Sequence, residues 1–308
     1  LLEGKLDDED RERVAQASGG ADLHGLASGL LTAIDPDEVE KAAIAATGGP
    51  VDALTEAQLE AAAEQLKDAA CAPFDDPKVR QAFVMAFDNQ KYIDVLLAKV
   101  AVPAAGLYPP GLPGYNTDLQ GLPYDPEAAR QLLAESKYGG PEGLPTVVFT
   151  TSGRGSDIDA DVAAKAQMWQ QNLGVTIVVE NLEPDKYYDL ISQGYHGQII
   201  SGGWCADYPD PENFADVLFH SGAEMNRGHY SNAALDAILE EARIETDVQK
   251  RIQLYQQAEQ IIVNDAPALF VSHSLGFILV KPHIQNYVFT PIDIPLERYL
   301  WIDAGKLK

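Results

Sequence analysis

Cysteine is nearly missing from this chain: Cys71 and Cys205 are the only two in 308 residues. Two cysteines so far apart make no disulfide framework, and neither belongs to a C-x-x-C pair, which argues against zinc and dithiol chemistry. Long apolar runs are also absent. No stretch of eighteen apolar residues occurs, so no segment reads as a membrane span. The sequence starts at Leu1 rather than methionine, and Leu1–Arg13 is charged where a signal peptide would need an apolar stretch. The expectation is a fragment, or a chain whose true start has been lost.

Basic residues are scarce. Twenty-two Lys and Arg stand against forty-seven Asp and Glu, a formal net charge of -25. The basic residues are scattered singly, so a phosphate backbone would find no positive patch, and nucleic acid is not an expected partner. Solubility, a salty environment included, is the plain reading of the acidity. Hydrophobic residues make up 46% of the chain, enough to build a core, and the length suits two domains or one domain with an appendage.

Catalytic templates are missing too. There is no P-loop, no G-x-G-x-x-G after a strand and no G-x-S-x-G elbow. Thr151–Ser156 is rich in Gly and Ser between a predicted strand and a predicted helix. It could hold an anion at the helix N-terminus, but it lacks the P-loop lysine, and a plain turn capped by Asp157 is the commoner account. The six histidines, His24, His196, His220, His229, His273 and His283, form no H-x-x-x-H pair. A metal site would have to be assembled from distant segments. No metal, cofactor or enzymatic activity is expected.

What is present changes character near residue 75. Before it the chain is Ala-rich and helical in period. Leu23, Leu26, Leu30 and Leu31 recur at helical spacing, and Asp37–Ala46 and Thr55–Ala70 read as helices, Thr55 and Gln58 forming a capping box. Gly48-Gly49-Pro50 breaks the chain between them. After residue 75, Pro77–Asp88 reads as an amphipathic helix leading into Lys91–Lys99. Pro103–Pro123 reads as a long ordered loop, and Asp125-Pro126 starts a helix to about Glu135. Strands at Thr146–Thr150, Val175–Glu180 and Gln198–Ser201 alternate with helices at Asp157–Leu173 and Asp185–Gln193. The β-branched runs and this alternation predict an α/β sheet covered by helices. Asn232–Glu245 and Val248–Asp265 follow as amphipathic helices, then Ala268–Ser272 and Gly276–Val280 as a closing pair of strands.

One segment stands apart, Ser201–Pro211. Two glycines, Trp204, Tyr208 and two prolines make a rigid turn with an aromatic wall, and Asp207 sits at its tip. An aromatic face beside a fixed carboxylate suits a cationic ligand, and the carboxyl end of a strand in an α/β sheet is a usual place for one. The other reading is that Trp204 is a core residue and Asp207 caps the following turn. The residues alone leave both open.

This segment resembles the G-W-x-x-D-Y-x-D-P motif of solute-binding protein family 5, the peptide and nickel binders of ABC importers. The similarity to the oligopeptide binders is close, Cys205 included. Pro73–Phe83 with Ala86-Phe87-Asp88, Tyr124–Leu133, Asn226 with Tyr230-Ser231-Asn232, Arg251 with Leu254, Tyr255, Ala258 and Glu259, and Asp265-Ala266-Pro267 agree in the same order. From about residue 76 the chain is therefore similar to the C-terminal portion of that family. The resemblance implies a lobe of the type II periplasmic-binding-protein kind, a mixed sheet with covering helices, and a return segment from about 268. It implies binding of peptides or small cationic solutes for ABC permease subunits, in the periplasm or outside the cell in association with the membrane. Asp207 would fix the peptide amine, Trp204 would wall the pocket, and Cys205, Tyr208 and Asn226 would complete the ligand-facing set. In oligopeptide binders the motif's cysteine can pair with an upstream cysteine; Cys71 lies in unrelated sequence, so no bridge with it is expected.

Residues 1–72 resemble a different family. Ala17–Leu23, Leu30–Asp37 and Leu54–Phe74 are similar to a C-terminal helical region of the restriction subunit of type I restriction enzymes, without its translocase or nuclease motifs. A P-F-x-x-P-x-x-R stretch common to both families, here Pro73–Arg80, marks the join. The expectation is a chimera: a small all-helical module at 1–72, then a family 5 region at 73–308 that lacks its N-terminal lobe. The alternative function is a non-catalytic helical interaction module of a cytoplasmic restriction-modification complex carrying a passenger.

Overall fold

The computed structural model describes residues 72–153, 158–192, 198–288 and 297–307. The helical module expected at 1–72 thus lies, but for Ala72, outside the described residues. In chain order the elements begin with helices α1 (Pro77–Met85) and α2 (Asn89–Leu96), strand β1 (Ala101–Pro103) and helix α3 (Pro126–Ala134). Next come β2 (Val147–Ser152), α4 (Ala160–Leu173), β3 (Ile177–Leu182), α5 (Pro184–Ser192) and β4 (Ile199–Ile200). The last are α6 (Glu212–Phe219), α7 (Ala233–Ile244), α8 (Val248–Asp265), β5 (Ser272–Ser274), β6 (Ile284–Gln285) and β7 (Trp301–Ile302). Among the described residues no helix is long and apolar enough to cross a membrane.

The chain divides into two compact units, each built from two stretches: residues up to Phe87 with Asp125–Gly202, and Asp88–Tyr124 with Gly203–Lys308. In the first unit β2 is the centre of a three-stranded parallel sheet, ordered β3-β2-β4. Phe149 stands opposite Val179 on one side and Ile199 on the other. Trp169 of α4 fills the space over the sheet, with its ring centroid 5.7 Å from Phe83 and 5.9 Å from both Phe87 and Phe149. Its indole N–H donates to the Phe83 carbonyl at 2.9 Å, so the large ring is buried without an orphaned donor. Local chemistry sets the helix ends. Asp125 accepts from the N–H groups of Glu127 and Ala128, with Pro126 at the first position, and Gly174 ends α4 at φ 75°. That helix begins at Ala160 rather than at the expected 157.

The second unit is mostly helical. Leu235, Leu239 and Ala242 of α7 pack on Leu254, Tyr255, Ala258 and Ile262 of α8, with Phe214, Ala215 and Phe219 of α6 against them. Burying a Leu or Ile side chain contributes about 1.5–3 kcal/mol, so this cluster holds the unit together. Surface ion pairs such as Lys250 with Glu241 and Glu245 add little beside it.

The loop after β1 is ordered, as its composition suggested, because α8 satisfies its backbone. One oxygen of buried Glu259 accepts from the N–H groups of Leu107 and Tyr108, both at 2.9 Å. The amides of Gln256 and Gln260 donate to the carbonyls of Gly114 and Gln120. A loop can be buried only when its polar backbone finds such partners.

The closing pair of strands expected at Ala268–Ser272 and Gly276–Val280 does not form. Instead β5 pairs antiparallel with β1, Val102 opposite His273, and β6 pairs with β7. An apolar, β-branched run marks strand propensity but does not name a partner, and β1 was concealed at the edge of the Gly- and Pro-rich loop. Among the described residues antiparallel pairing is confined to these two small sheets, and the β3-β2-β4 sheet is purely parallel.

Candidate functional site

The Gly- and aromatic-rich turn expected to carry function is Ser201–Pro211; from Gly203 on it belongs to the second unit and leads into α6. One buried side chain organises it. The Asn213 carbonyl oxygen accepts from the Trp204 indole N–H at 3.2 Å and from the Asp207 backbone N–H at 2.9 Å. The Asn213 amide in turn donates to the Asp207 carboxylate at 3.2 Å. Trp204 and Asp207 are thereby fixed to the same residue in the first turn of α6. Sequence reasoning missed Asn213, although a polar residue just inside a helix that follows a Pro-rich turn is the available signal.

The reading of Trp204 as a core residue holds in part. Its ring is partly buried and leans on the core cluster of the second unit, and its N–H belongs to the turn. Asp207 does not cap the helix. Pro211 holds the N-cap position, and Asp210 just before it accepts from the Glu212 N–H at 2.9 Å and takes two hydrogen bonds from Arg251, at 2.6 and 2.9 Å. Burial works to raise the Asp210 carboxyl, but the Arg251 hydrogen bonds and charge, with the Glu212 N–H, outweigh it and hold the group below its ordinary range. Behind this pair, Asp216 is buried between Arg243 and the Tyr255 hydroxyl. There burial prevails over both partners and raises its pKa.

Asp207 itself is exposed and has no ion-pair partner among the described residues. The capped and paired carboxylates of this region are therefore structural, while Asp207 keeps an oxygen surface open to a cation. Tyr208 is exposed and donates its hydroxyl to Glu212, a hydrogen bond that raises its pKa. Cys205 is free and exposed.

Asn226 is placed differently from the other four. It is buried, its amide nitrogen donating to the carbonyls of Tyr230 at 2.7 Å and His220 at 3.2 Å. Its oxygen accepts from the Tyr230 N–H at 3.1 Å. The side chain closes the loop between α6 and α7. The structure thus brings Trp204 and Asp207 together with their neighbours Cys205 and Tyr208, and commits Asn226 to a clasp. Among the described residues no group of three or more His, Cys, Asp or Glu side chains could hold a metal ion. Thr151–Ser156 is only partly described. At its start Gly153 donates to the Leu182 carbonyl at 2.8 Å, and the Asn181 side chain occupies the place of a Cβ.

A family model described as bacterial extracellular solute-binding proteins, family 5 Middle, matches residues 30–226. The chain belongs to that family. Its matched range begins inside the segment that the sequence reading assigned to the helical module. The chain is 35% identical over 227 residues to heme-binding protein A of Haemophilus influenzae, covering 71% of this chain and 40% of that protein. It is 32% identical over 226 residues to the dipeptide-binding protein of Escherichia coli, covering 71% and 42%. The fold is similar to the Escherichia coli murein tripeptide binding protein MppA, with TM-score 0.64 and 26% identity over 75% of this chain and 46% of that one. The OppA of Burkholderia pseudomallei gives TM-score 0.64 at 28% identity, over 75% and 47%. The family 5 chain thus spans less than half the length of these relatives.

Proposed function

We propose that this chain carries the ligand-facing turn of a peptide-binding protein that works outside the cytoplasm for an ABC importer. Family membership supports the receptor role, and the names of the relatives, dipeptide-binding and murein tripeptide binding among them, support peptides as the ligand. The observation that carries the reading is the state of Asp207: exposed, oriented by Asn213, and free of a counter-charge where neighbouring Asp210 and Asp216 each have an arginine. Such a carboxylate beside an indole suits the ammonium group at a peptide's N-terminus. Membership in a family of solute-binding proteins supports capture rather than catalysis as the role. The permease subunits of an importer are the protein partners this reading implies.

A single ammonium–carboxylate contact in water is worth on the order of 1 kcal/mol or less, so binding by this chain alone is weak. Titration with a free-amine dipeptide and its N-acetylated counterpart, followed by amide NMR shifts, tests the reading. The free amine moves the signals of Gly203–Tyr208, and Asp207→Asn removes that response. An equal response to the acetylated peptide would overturn the assignment of the amine to Asp207.

A further inference from the structure

Glu259 of α8 is buried in the second unit and has no ion-pair partner among the described residues. Its Oε1 accepts from the Leu107 and Tyr108 N–H groups, while its Oε2 is buried with no hydrogen-bond partner. Neither protonation state is fully satisfied there. The carboxylate leaves one oxygen dry, and the acid has no acceptor for its proton. Tyr108 faces Glu259 from the loop, and burial keeps that phenol protonated. One turn back on α8, burial also raises the Tyr255 phenol, whose hydroxyl is given to Asp216 of α6, itself paired with Arg243. Arg251 and Asp210 satisfy each other. His273 on β5, beside the start of the loop, is pushed lower by burial. The charge that changes beside the loop near neutrality is that of Glu259, whose carboxyl burial pushes up to about 7.

The loop that Glu259 holds backs the ligand-facing turn. Tyr108 meets Phe214 of α6 edge to face, with ring centroids 6.2 Å apart. Phe214 follows Asn213, which fixes Trp204 and Asp207. Gly114 lies against Pro211, the last residue of the turn. A Cβ on Gly114 would stand 3.3 Å from that of Pro211, and its φ of +93° is one that glycine adopts freely. Gln256, on the same face of α8 as Glu259, donates to the Gly114 carbonyl. Leu112 of the loop and Trp204 of the turn pack on one core cluster. All of these residues belong to the second unit.

We propose that Glu259 is a positioning residue for the ligand-facing turn, acting through the loop from 104 to 121, so that its ionisation loosens the turn and weakens ligand capture. The carboxylate gains hydration only where the loop lifts from α8. A lifted loop no longer holds Tyr108 against Phe214 or Gly114 against Pro211. The acid form keeps the loop seated. The effect on capture rests on the reading of Asp207 given above; the coupling of loop to turn does not, and it is measured without ligand.

Hydrogen exchange in the full 308-residue chain, divided by the intrinsic rate at each pH, is followed by NMR from about pH 6 to about pH 8. Protection at 106–108 and at 203–208 is expected to fall together, by about 5-fold or more, with a midpoint near 7. In Glu259→Gln protection at both places stays level. Gly106→Ala is the second variant. Its Cβ would fall 2.2 Å from Leu119 Cδ2 and 2.7 Å from Glu259 Oε1, both at the ends of side chains that can swing. It unseats the loop without touching the turn or removing a charge, and exposes 203–208 even in acid. Titration of the parent and the Gln variant with one free-amine dipeptide then reads capture. The amine titrates alike in both, so the ratio of parent to variant affinity isolates Glu259, and it falls by about 5-fold over the same range. Loss of protection at 106–108 with a level profile at 203–208 overturns the coupling. So does a Gln variant that keeps the parent's profile, or a turn that stays protected in Gly106→Ala. A constant affinity ratio overturns the link to capture. If neither protein responds to the dipeptide, the reading of Asp207 fails, and the exchange profiles alone decide the coupling.

Discussion

Arg251 of α8 grips Asp210 with two nitrogens, at 2.6 and 2.9 Å, and so ties the end of the Trp204–Pro211 turn to the longest helix of its unit. The same guanidinium lies 4.9 Å from the centre of the Tyr255 ring. Replacing Arg251 by Met keeps most of the stem packing and removes the charge. Both partners are partly exposed, so the expected loss is modest, about 1 kcal/mol at neutral pH. The sign with pH follows from the depressed carboxyl of Asp210: its contribution is present above the unfolded carboxylate pKa and is lost as pH falls through the lower, folded value. Urea unfolding should show a parent–variant difference that is full at pH 7 and shrinks in acid below roughly pH 4. A difference that grows in acid would contradict this account.

How much of this could be read in advance depended on range. The second amphipathic helix was legible to the residue, Val248–Asp265, because an Asp cap, a 3.6-residue period and a following Pro all act locally. The β-branched runs marked β2 and β3, and the turn's composition singled out Trp204 and Asp207. Asp210 and Arg251 are forty-one residues apart, and no periodicity links them. Asn213 read as an ordinary polar residue of a helix, since its importance lies in reaching back to Trp204 and Asp207. The strand β1 at Ala101–Pro103 carries too short a pattern to register, so the partner of β5 was misassigned.

Glu259 is the group whose titration should dominate the pH dependence of the second unit near neutrality. Burial pushes its carboxyl up to about 7, against two backbone N–H donors that favour the charged form, and its second oxygen is buried without a partner. A carboxyl raised in the folded state binds its proton more tightly there than in the unfolded chain. Stability therefore falls as pH rises from about 4.5 to about 7 and levels off above that range. Glu259→Gln keeps an oxygen for the Leu107 and Tyr108 N–H groups and cannot titrate. Its unfolding free energy should lose the decline that Glu259 gives the parent across the same window, as measured by urea midpoints at several pH values. A parallel decline in the variant would place the titrating group elsewhere.

Asn213 is expected to matter more for the turn than for the helix it belongs to. Asn213→Ala leaves the Trp204 indole N–H and the Asp207 backbone N–H without their acceptor, at a cost of about 1–3 kcal/mol. The Asp207 carboxylate also loses the donor that orients it. Chemical denaturation should record the loss, and the response of Gly203–Tyr208 to a free-amine dipeptide should weaken with it. Unchanged stability would mean that water replaces Asn213 without penalty.

Asn226 separates a structural role from a ligand-contacting one. Its amide makes three hydrogen bonds, to the His220 carbonyl and to the Tyr230 carbonyl and N–H, all within the loop between α6 and α7. A side chain so committed has little left to offer a ligand. Asn226→Ala should therefore lower stability by about 1–3 kcal/mol, since it strands buried polar groups of the backbone. At a temperature where the variant is still folded, the dipeptide-induced shifts at Gly203–Tyr208 should match those of the parent in size. Asp207→Asn should show the opposite pattern, with stability nearly unchanged and the ligand response lost. If Asn226→Ala kept full stability and lost the response, the clasp would be secondary and Asn226 would belong with Asp207 among the ligand contacts.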